Sequence, residues 1–326
     1  MKEALLKMFA EHEGQFLSGE KISQQLGCSR TAIWKHIDEL RKNGYQLESA
    51  PRKGYRLVSK PDEIQPHEVK VSLQTKWLGH EQTYYEAVSS TQSVAHRLAQ
   101  EGAVEGHLVV ANEQTAGKGR LGRKWYSRAG STISMSLILR PELPPQRTPQ
   151  LTLLAAVAVV RAIKQETGID CSIKWPNDIL INGKKLVGIL TEMQSEPDVV
   201  HSVIIGIGIN VNQTPDEFAD DIETVATSLA IEKGASIKRA PLIAAILNQF
   251  EVLYELYISS GFSAIRSLWE AHSISIGTHL YARTTKEVIY GYAQGITDEG
   301  ALLLKDEAGK THQIYSADIE IASHPT

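Results

Sequence analysis

The segment Thr115-Ala-Gly-Lys-Gly-Arg-Leu-Gly-Arg-Lys-Trp125 sets Gly117, Gly119 and Gly122 among four cations, Lys118, Arg120, Arg123 and Lys124. Glycine lets backbone approach a ligand closely, and grouped cations stabilise negative charge as it develops. Further along, Lys174-Trp-Pro-Asn-Asp178 offers an amide, Asn177, and a carboxylate, Asp178, that can serve as acceptor or weak base. Lys184 and Lys185 then open a strand-like run that contains Gly188. Gly206-Ile-Gly-Ile-Asn210 alternates glycine with apolar residues and ends in an amide, a pattern that opens one strand face to a ligand. The set is cationic and glycine-lined, with no Ser-His-Asp pattern and no metal-ligand spacing. It suits phosphoanhydride chemistry run by electrostatics, in which one well-placed donor contributes about 3 kcal/mol. A glycine-rich loop can also close over a reactive intermediate and exclude water.

Two commoner phosphate motifs fit poorly. A P-loop needs Gly-Lys-Ser/Thr, whereas Gly119-Arg120 is followed by Leu121. Glycines 117, 119 and 122 match G-x-G-x-x-G, but cations stand between them and no apolar strand leads directly into a helix start.

The elements that must position these residues fall into three parts. From Ser18 to Lys60 nine Lys/Arg face four carboxylates, in a chain whose formal net charge is -4. Ile22 and Leu26 mark one helix and Gly27-Cys28 breaks it; Ser29 caps a second helix whose Ile33, Ile37 and Leu40 form one stripe up to Asn43-Gly44. Two strands, Tyr45–Glu48 and Tyr55–Val58, then flank a basic turn holding Arg52 and Lys53. This is a helix-turn-helix with a wing. Ser29, Arg30, Thr31, Trp34, Lys35, His36, Arg52 and Lys53 are the candidate DNA-contacting residues, although Trp34 on pattern alone also fits a core. A small protein-interaction domain with a solvated basic face is the alternative.

Residues 60–66, with two prolines among polar residues, read as a linker. Strands at 107–114 and 132–139, a nearly all-apolar helix at 151–168, and paired strands along 184–193 and 202–211 follow. After His272 come short strands with glycine-marked turns, which suit a small SH3-like β-barrel appended to the catalytic part. The fold class expected is α+β, with boundaries at 1–64, 65–271 and 272–326.

At 326 residues, 42% hydrophobic and 22% charged, the chain reads as globular and multi-domain. No apolar run approaches the roughly 20 residues of a membrane span. The start, Met1 to Lys7, lacks a secretory pattern, and Cys28 and Cys171 read as free thiols in a reducing compartment. No membrane partner and a cytoplasmic location are expected.

"GKGRLGRKW", "KWPNDILINGKKLVGI" and "GIGIN", in this order between a basic winged helix and a small barrel, resemble the bifunctional biotin protein ligases that also repress biotin operons. The resemblance covers essentially the full chain. It implies a central mixed α/β ligase domain of the class II synthetase-like kind. The reaction it implies forms biotinyl-5′-AMP from biotin and ATP with Mg²⁺, then transfers biotin to a lysine of a biotin carboxyl carrier domain. The adenylate would also act as co-repressor, promoting a homodimer that binds operator DNA.

Site residues follow from the same resemblance. Ser90, Thr91 and Gln92 match a Ser-Thr-Asn segment along biotin, and Gln114 would join Ser90 and Thr91 on the ureido group. Gly117, Lys118, Gly119 and Arg120 would cover the carboxylate and phosphate, with Arg123 and Trp125 on the adenylate side. Lys185 would contact the activated oxygens, Asn177 and Asp178 would flank the reaction centre, and Asp178 would accept the incoming lysine's proton. Gly188, Gly206 and Gly208 would wall the pockets, and Asn210 would meet the nucleotide. Arg120, Lys185 and Asp178 are thus the catalytic candidates. Lys118 replaces a customary arginine, losing its planar fork, and Gln92 replaces the usual asparagine. On pattern alone Trp125 and Trp175 fit a core equally well. A lipoate-protein ligase, or a biotin sensor that has lost catalysis, are the rival readings.

Overall fold

The computed structural model describes residues 1–42, 44–59, 62–219 and 222–322. Asn43, expected to help end a helix, and Lys60-Pro61 of the expected linker lie outside them.

The chain opens with α1 (Lys2–Glu11), which motif reading did not find. Leu5, Leu6, Met8 and Phe9 bury one face of it. α2 (Gly19–Leu26) is capped by Ser18 Oγ, which accepts from Lys21 N at 3.1 Å, and ends at left-handed Gly27. In α3 (Arg30–Lys42), Ser29 Oγ accepts from Ala32 N at 3.2 Å, and Ile33, Ile37 and Leu40 meet α1 and α2 in a separate small core. β1 (Gln46–Ala50) and β2 (Gly54–Ser59) pair antiparallel as the wing.

The residues after the wing are not a free tether. Ile64 and Val69 are buried in the main core, and Pro66 starts α4 (Pro66–Val71), whose Val71 packs on the winged-helix core.

The central sheet contains β3 (Gln82–Val88), β4 (Leu108–Lys118), β5 (Lys124–Ser127), β6 (Thr132–Leu139), β7 (Ser172–Lys174), β8 (Asp178–Ile181), β9 (Lys184–Ser195) and β10 (Val200–Asn210). The order is β3-β4-β6-β10-β9-β8-β7, with β5 folded back on β4. Only β3–β4 is parallel. One face is covered by α5 (Thr91–Gln100) through Val94, Ala95 and Ala99 against Val109, Ile138 and Ile204. The other is covered by α6 (Thr148–Thr167), which ends at left-handed Gly168, and behind it by α8 (Arg239–Ser260) and α9 (Phe262–Glu270). The short α7 (Leu229–Lys233) leads into α8. By length and composition α8 is apolar enough to cross a membrane, a helix the sequence reading overlooked. Its Leu242, Ile243, Ile246 and Leu253 are instead buried in the core.

Five strands close the chain: β11 (His279–Arg283), β12 (Val288–Ile296), β13 (Leu302–Lys305), β14 (Thr311–Ile314) and β15 (Asp318–Ile321), in the order β14-β13-β12-β11-β15. This β-rich unit is firmly seated. Trp175 Nε1 donates to Gly300 O at 3.1 Å, and Gly300 sits on Leu153 of α6, where an added Cβ would lie 3.0 Å from its Cδ1.

Candidate active site

β9, β10 and the β4–β5 hairpin enclose a cavity of about 440 Å³. Its floor explains the glycine alternation. Gly188 and Gly208 stand opposite one another in the β9–β10 register, and the Trp125 indole lies over both. A Cβ on Gly188 would lie 3.2 Å from the ring, and one on Gly208 would run into it. Gly206 makes room in the same way for Gln92, whose Oε1 would lie 2.6 Å from an added Cβ.

At one end the site is polar and neutral. Ser90 begins α5, and its buried Oγ has no hydrogen-bond partner among the described residues. Thr91 donates from N and Oγ1 to Gln114 Oε1 at 2.8 and 3.1 Å. Ser136 Oγ lies 2.9 Å from Thr91 Oγ1 and donates to Gln92 Oε1 at 3.0 Å. Gln92 Nε2 donates to Ile204 O at 3.2 Å. The Gln92 amide is therefore committed to the sheet, and the side chain backs the cavity.

The other end is charged. Lys185 Nζ lies 2.6 Å from Asp178 Oδ1 across the β8–β9 pair. Arg120 donates to Asn177 Oδ1 at 2.9 Å and to Ser316 Oγ at 2.7 Å, and burial lowers its pKa from the ordinary arginine value. Asn177 is itself fixed by donating to Ile189 O at 2.9 Å. Arg123 pairs with Asp318. Asn210 Oδ1 accepts from Gln213 Nε2 at 2.9 Å. Trp125 Nε1 is buried without a partner among the described residues.

Nearly all the expected residues line this one cavity: Ser90, Thr91, Gln92, Gln114, Lys118, Gly119, Arg120, Arg123, Trp125, Asn177, Asp178, Lys185, Gly188, Gly206, Gly208 and Asn210. Gly117 does not. It sits opposite Trp125 where β5 pairs with β4, and a Cβ there would meet the Trp125 carbonyl. The run from 117 to 128 is also less free than a loop of glycines suggests, because β4 continues to Lys118 and β5 returns from Lys124. Trp175 is a core residue, 1% exposed.

Sequence reading missed two sets. Ser316 and Asp318 reach the site from the last β-unit, 196 and 195 residues from the arginines they hold. Phe218, Ile222, Val225 and Ala226 close one side from a segment with no motif of its own. No local spacing signals either set.

On the winged helix, Arg30, Thr31, Trp34 and Lys35 are exposed on α3, with Trp34 56% accessible. Ser29 acts as the helix cap, and His36 is half-buried beside Glu39 at 3.5 Å. Arg52, at φ 65°, and Lys53 form the exposed wing tip.

The family model "Biotin/lipoate A/B protein ligase family" matches residues 84–210, "HTH domain" matches 2–56, and "Biotin protein ligase C terminal domain" matches 281–321. The bifunctional ligase/repressor BirA of Bacillus subtilis is 54% identical over 98% of each chain. The chain belongs to the BirA family. The Escherichia coli BirA is 30% identical over 90% of this chain and 89% of its own. Among solved structures, the biotin protein ligase of Aquifex aeolicus in complex with biotin and ATP superposes with a TM-score of 0.65 at 29% identity, covering 74% of this chain and 99% of that one. The BirA family's ligase region thus coincides with the strands that wall the cavity, and its helix-turn-helix with the basic face of α3.

Proposed function

We propose that this chain activates biotin with ATP, transfers it to a lysine of a biotin carboxyl carrier domain, and represses transcription when it holds biotinyl-5′-AMP. The observation that carries the reading is the polarity of the cavity. A Ser90 hydroxyl with no hydrogen-bond partner among the described residues lies at its neutral end, and the Lys185–Asp178 pair with Arg120 lies at its charged end. A urea-bearing ring with a carboxylate tail matches that order.

Lys185 and Arg120 hold the biotin carboxylate and the α-phosphate together, so that a carboxylate oxygen attacks phosphorus and pyrophosphate leaves. Positioned cations offset the charge that builds on the phosphoryl oxygens. The lysine amine of the carrier domain then attacks the acyl carbon, the acyl–phosphate bond breaks and AMP departs, while Asp178 takes the amine's proton. Ser90 and Thr91 orient the ring, with Gln114 holding Thr91. Trp125, Gly208 and Asn210 form the nucleotide side, and Gly119 lets the hairpin close over the phosphate.

Magnesium would enter on the phosphates of ATP, where it neutralises charge. The donors present fit that route. The carboxylates Asp178 and Asp318 at the charged end are each matched to a cation, and the one three-residue cluster of potential metal ligands among the described residues, Glu63, His67 and Glu68, lies outside the cavity. Operator DNA would meet α3 and the wing of a homodimer, in the cytoplasm.

The test is ATP-dependent transfer of biotin to a purified carrier domain, with lipoate as parallel substrate. Transfer of biotin alone is expected. Tight biotin binding with no transfer would leave a sensor.

A further inference from the structure

The chain leaves the wing and enters the catalytic part at Asp62, where one buried arginine receives it. Arg239, at the start of α8, is 2% exposed. It donates to Asp62 three times: from Nε to Oδ2 at 2.7 Å, from its backbone N to Oδ1 at 2.8 Å, and from Nη2 to the Asp62 carbonyl at 3.0 Å. The other side of the same guanidinium holds the start of β6 and the turn before it. Nη1 donates to Thr132 O at 2.9 Å and to Asn112 Oδ1 at 3.0 Å, and Asn112 Oδ1 also accepts from Gly130 N at 3.1 Å. Residues 128–131 join β5, which carries Trp125, to β6, and Arg128 lines the cavity. A second route runs in parallel. Asn212 donates to Asp62 Oδ2 at 3.3 Å and, from its backbone, to Ser131 O at 2.7 Å, between the cavity-lining Asn210 and Gln213.

We propose that Asp62 and Arg239 form the joint through which the nucleotide end of the cavity sets the pose of the winged helix, so that Asp62 is a positioning residue for ligand-dependent DNA binding and has no part in ligation. The inference rests on the ligase/repressor reading above. A planar guanidinium bridging two segments through a fixed fork transmits a shift of one to the other, which a flexible tether would absorb.

The experiment uses the full chain with Asp62→Asn, which keeps the volume and removes the charge, and Arg239→Lys, which keeps the charge and removes the fork. Three quantities are read: biotin transfer to a carrier domain, affinity for a DNA fragment that the wild-type protein selects from a random pool in the presence of biotin and ATP, and amide exchange of residues 62–71 with and without biotin plus ATP. Both variants should transfer biotin as the wild type does, bind the DNA about tenfold more weakly in the presence of biotin and ATP, and lose the ligand-induced slowing of exchange that the wild type shows. Wild-type DNA affinity and exchange in Asp62→Asn would overturn the joint. Loss of transfer in step with DNA binding would do so too, by reducing the pair to a fold requirement. Should the wild type select no DNA, the repressor reading falls, while the exchange measurement still decides whether ligand reaches Asp62.

Discussion

Lys185 Nζ sits 2.6 Å from Asp178 Oδ1, on two neighbouring strands whose pairing slips beside them, between Ile179 and Leu180. The pair places a cation and a carboxylate in ion-pair contact at the charged end of the cavity. The two should fail at different steps. Lys185→Ala should slow adenylate formation by roughly 10²–10³. Asp178→Asn should still form adenylate but slow transfer to the acceptor lysine by roughly 10²–10⁴. Single-turnover pyrophosphate release and biotin transfer separate these, and equal loss of both steps in Asp178→Asn would remove its role as base.

Arg120 bridges Asn177 and Ser316. Arg120→Gly should leave adenylate formation measurable but let the adenylate escape, so that proteins mixed with the variant become labelled without docking. Adenylate dissociation as slow as in the wild type would show that the arginine is not part of the closure.

Gly208 lies beneath the Trp125 indole with no room for a methyl group. Gly208→Ala should push the ring off the floor, destabilise the protein by about 1–3 kcal/mol and weaken nucleotide binding more than biotin binding. Calorimetric titration with each ligand checks the split. An alanine variant with wild-type ATP affinity would contradict the packing argument.

Exposed Arg30 and Lys35 lie far from the cavity in the chain and make no contact with it. Reversing both to Glu should abolish binding to the selected DNA and leave ligation intact. The single neutral variants should each lower the salt slope of binding by about one. A ligation defect in the double reversal would show that the basic face also serves catalysis.

Glu68 is buried on α4, beside His67 and Glu63, and burial raises its carboxyl to about 7 against the pull of Lys2 and Lys238. A carboxyl raised on folding contributes stability below pH 4.5 that is lost as pH rises through 7. Burial lowers His67 to about 4, so its contribution is present above pH 6.5 and lost as pH falls toward 4. The two oppose each other between 4.5 and 6.5, and above 7 only Glu68 weighs. Glu68→Gln should therefore be more stable than the wild type at pH 8 by about 2–3 kcal/mol, with the gap closing toward pH 5. Denaturant unfolding at the two pH values reads it, and a constant gap would rule out titration of this carboxyl.

Much of this protein is written locally. Ser29 with Ile33, Ile37 and Leu40 specifies a capped amphipathic helix, and the turn before it specifies the winged-helix start, because caps and helical stripes act over a few residues. The alternation at Gly206 and Gly208 marks an opened strand face, since period-2 geometry sends both glycines to one side. Gly168 ends α6 where expected. The motif order was enough to suggest the family. What the tertiary structure alone decided are the contacts made across long sequence separations. Nothing near Asp318 shows that it holds Arg123, nothing near Arg239 shows that it grips Asp62, and nothing near Gly117 shows that β5 pairs back against it at Trp125. A side chain's partner in these cases is set by which strands and helices pack together, and that packing depends on burying the whole apolar surface at once.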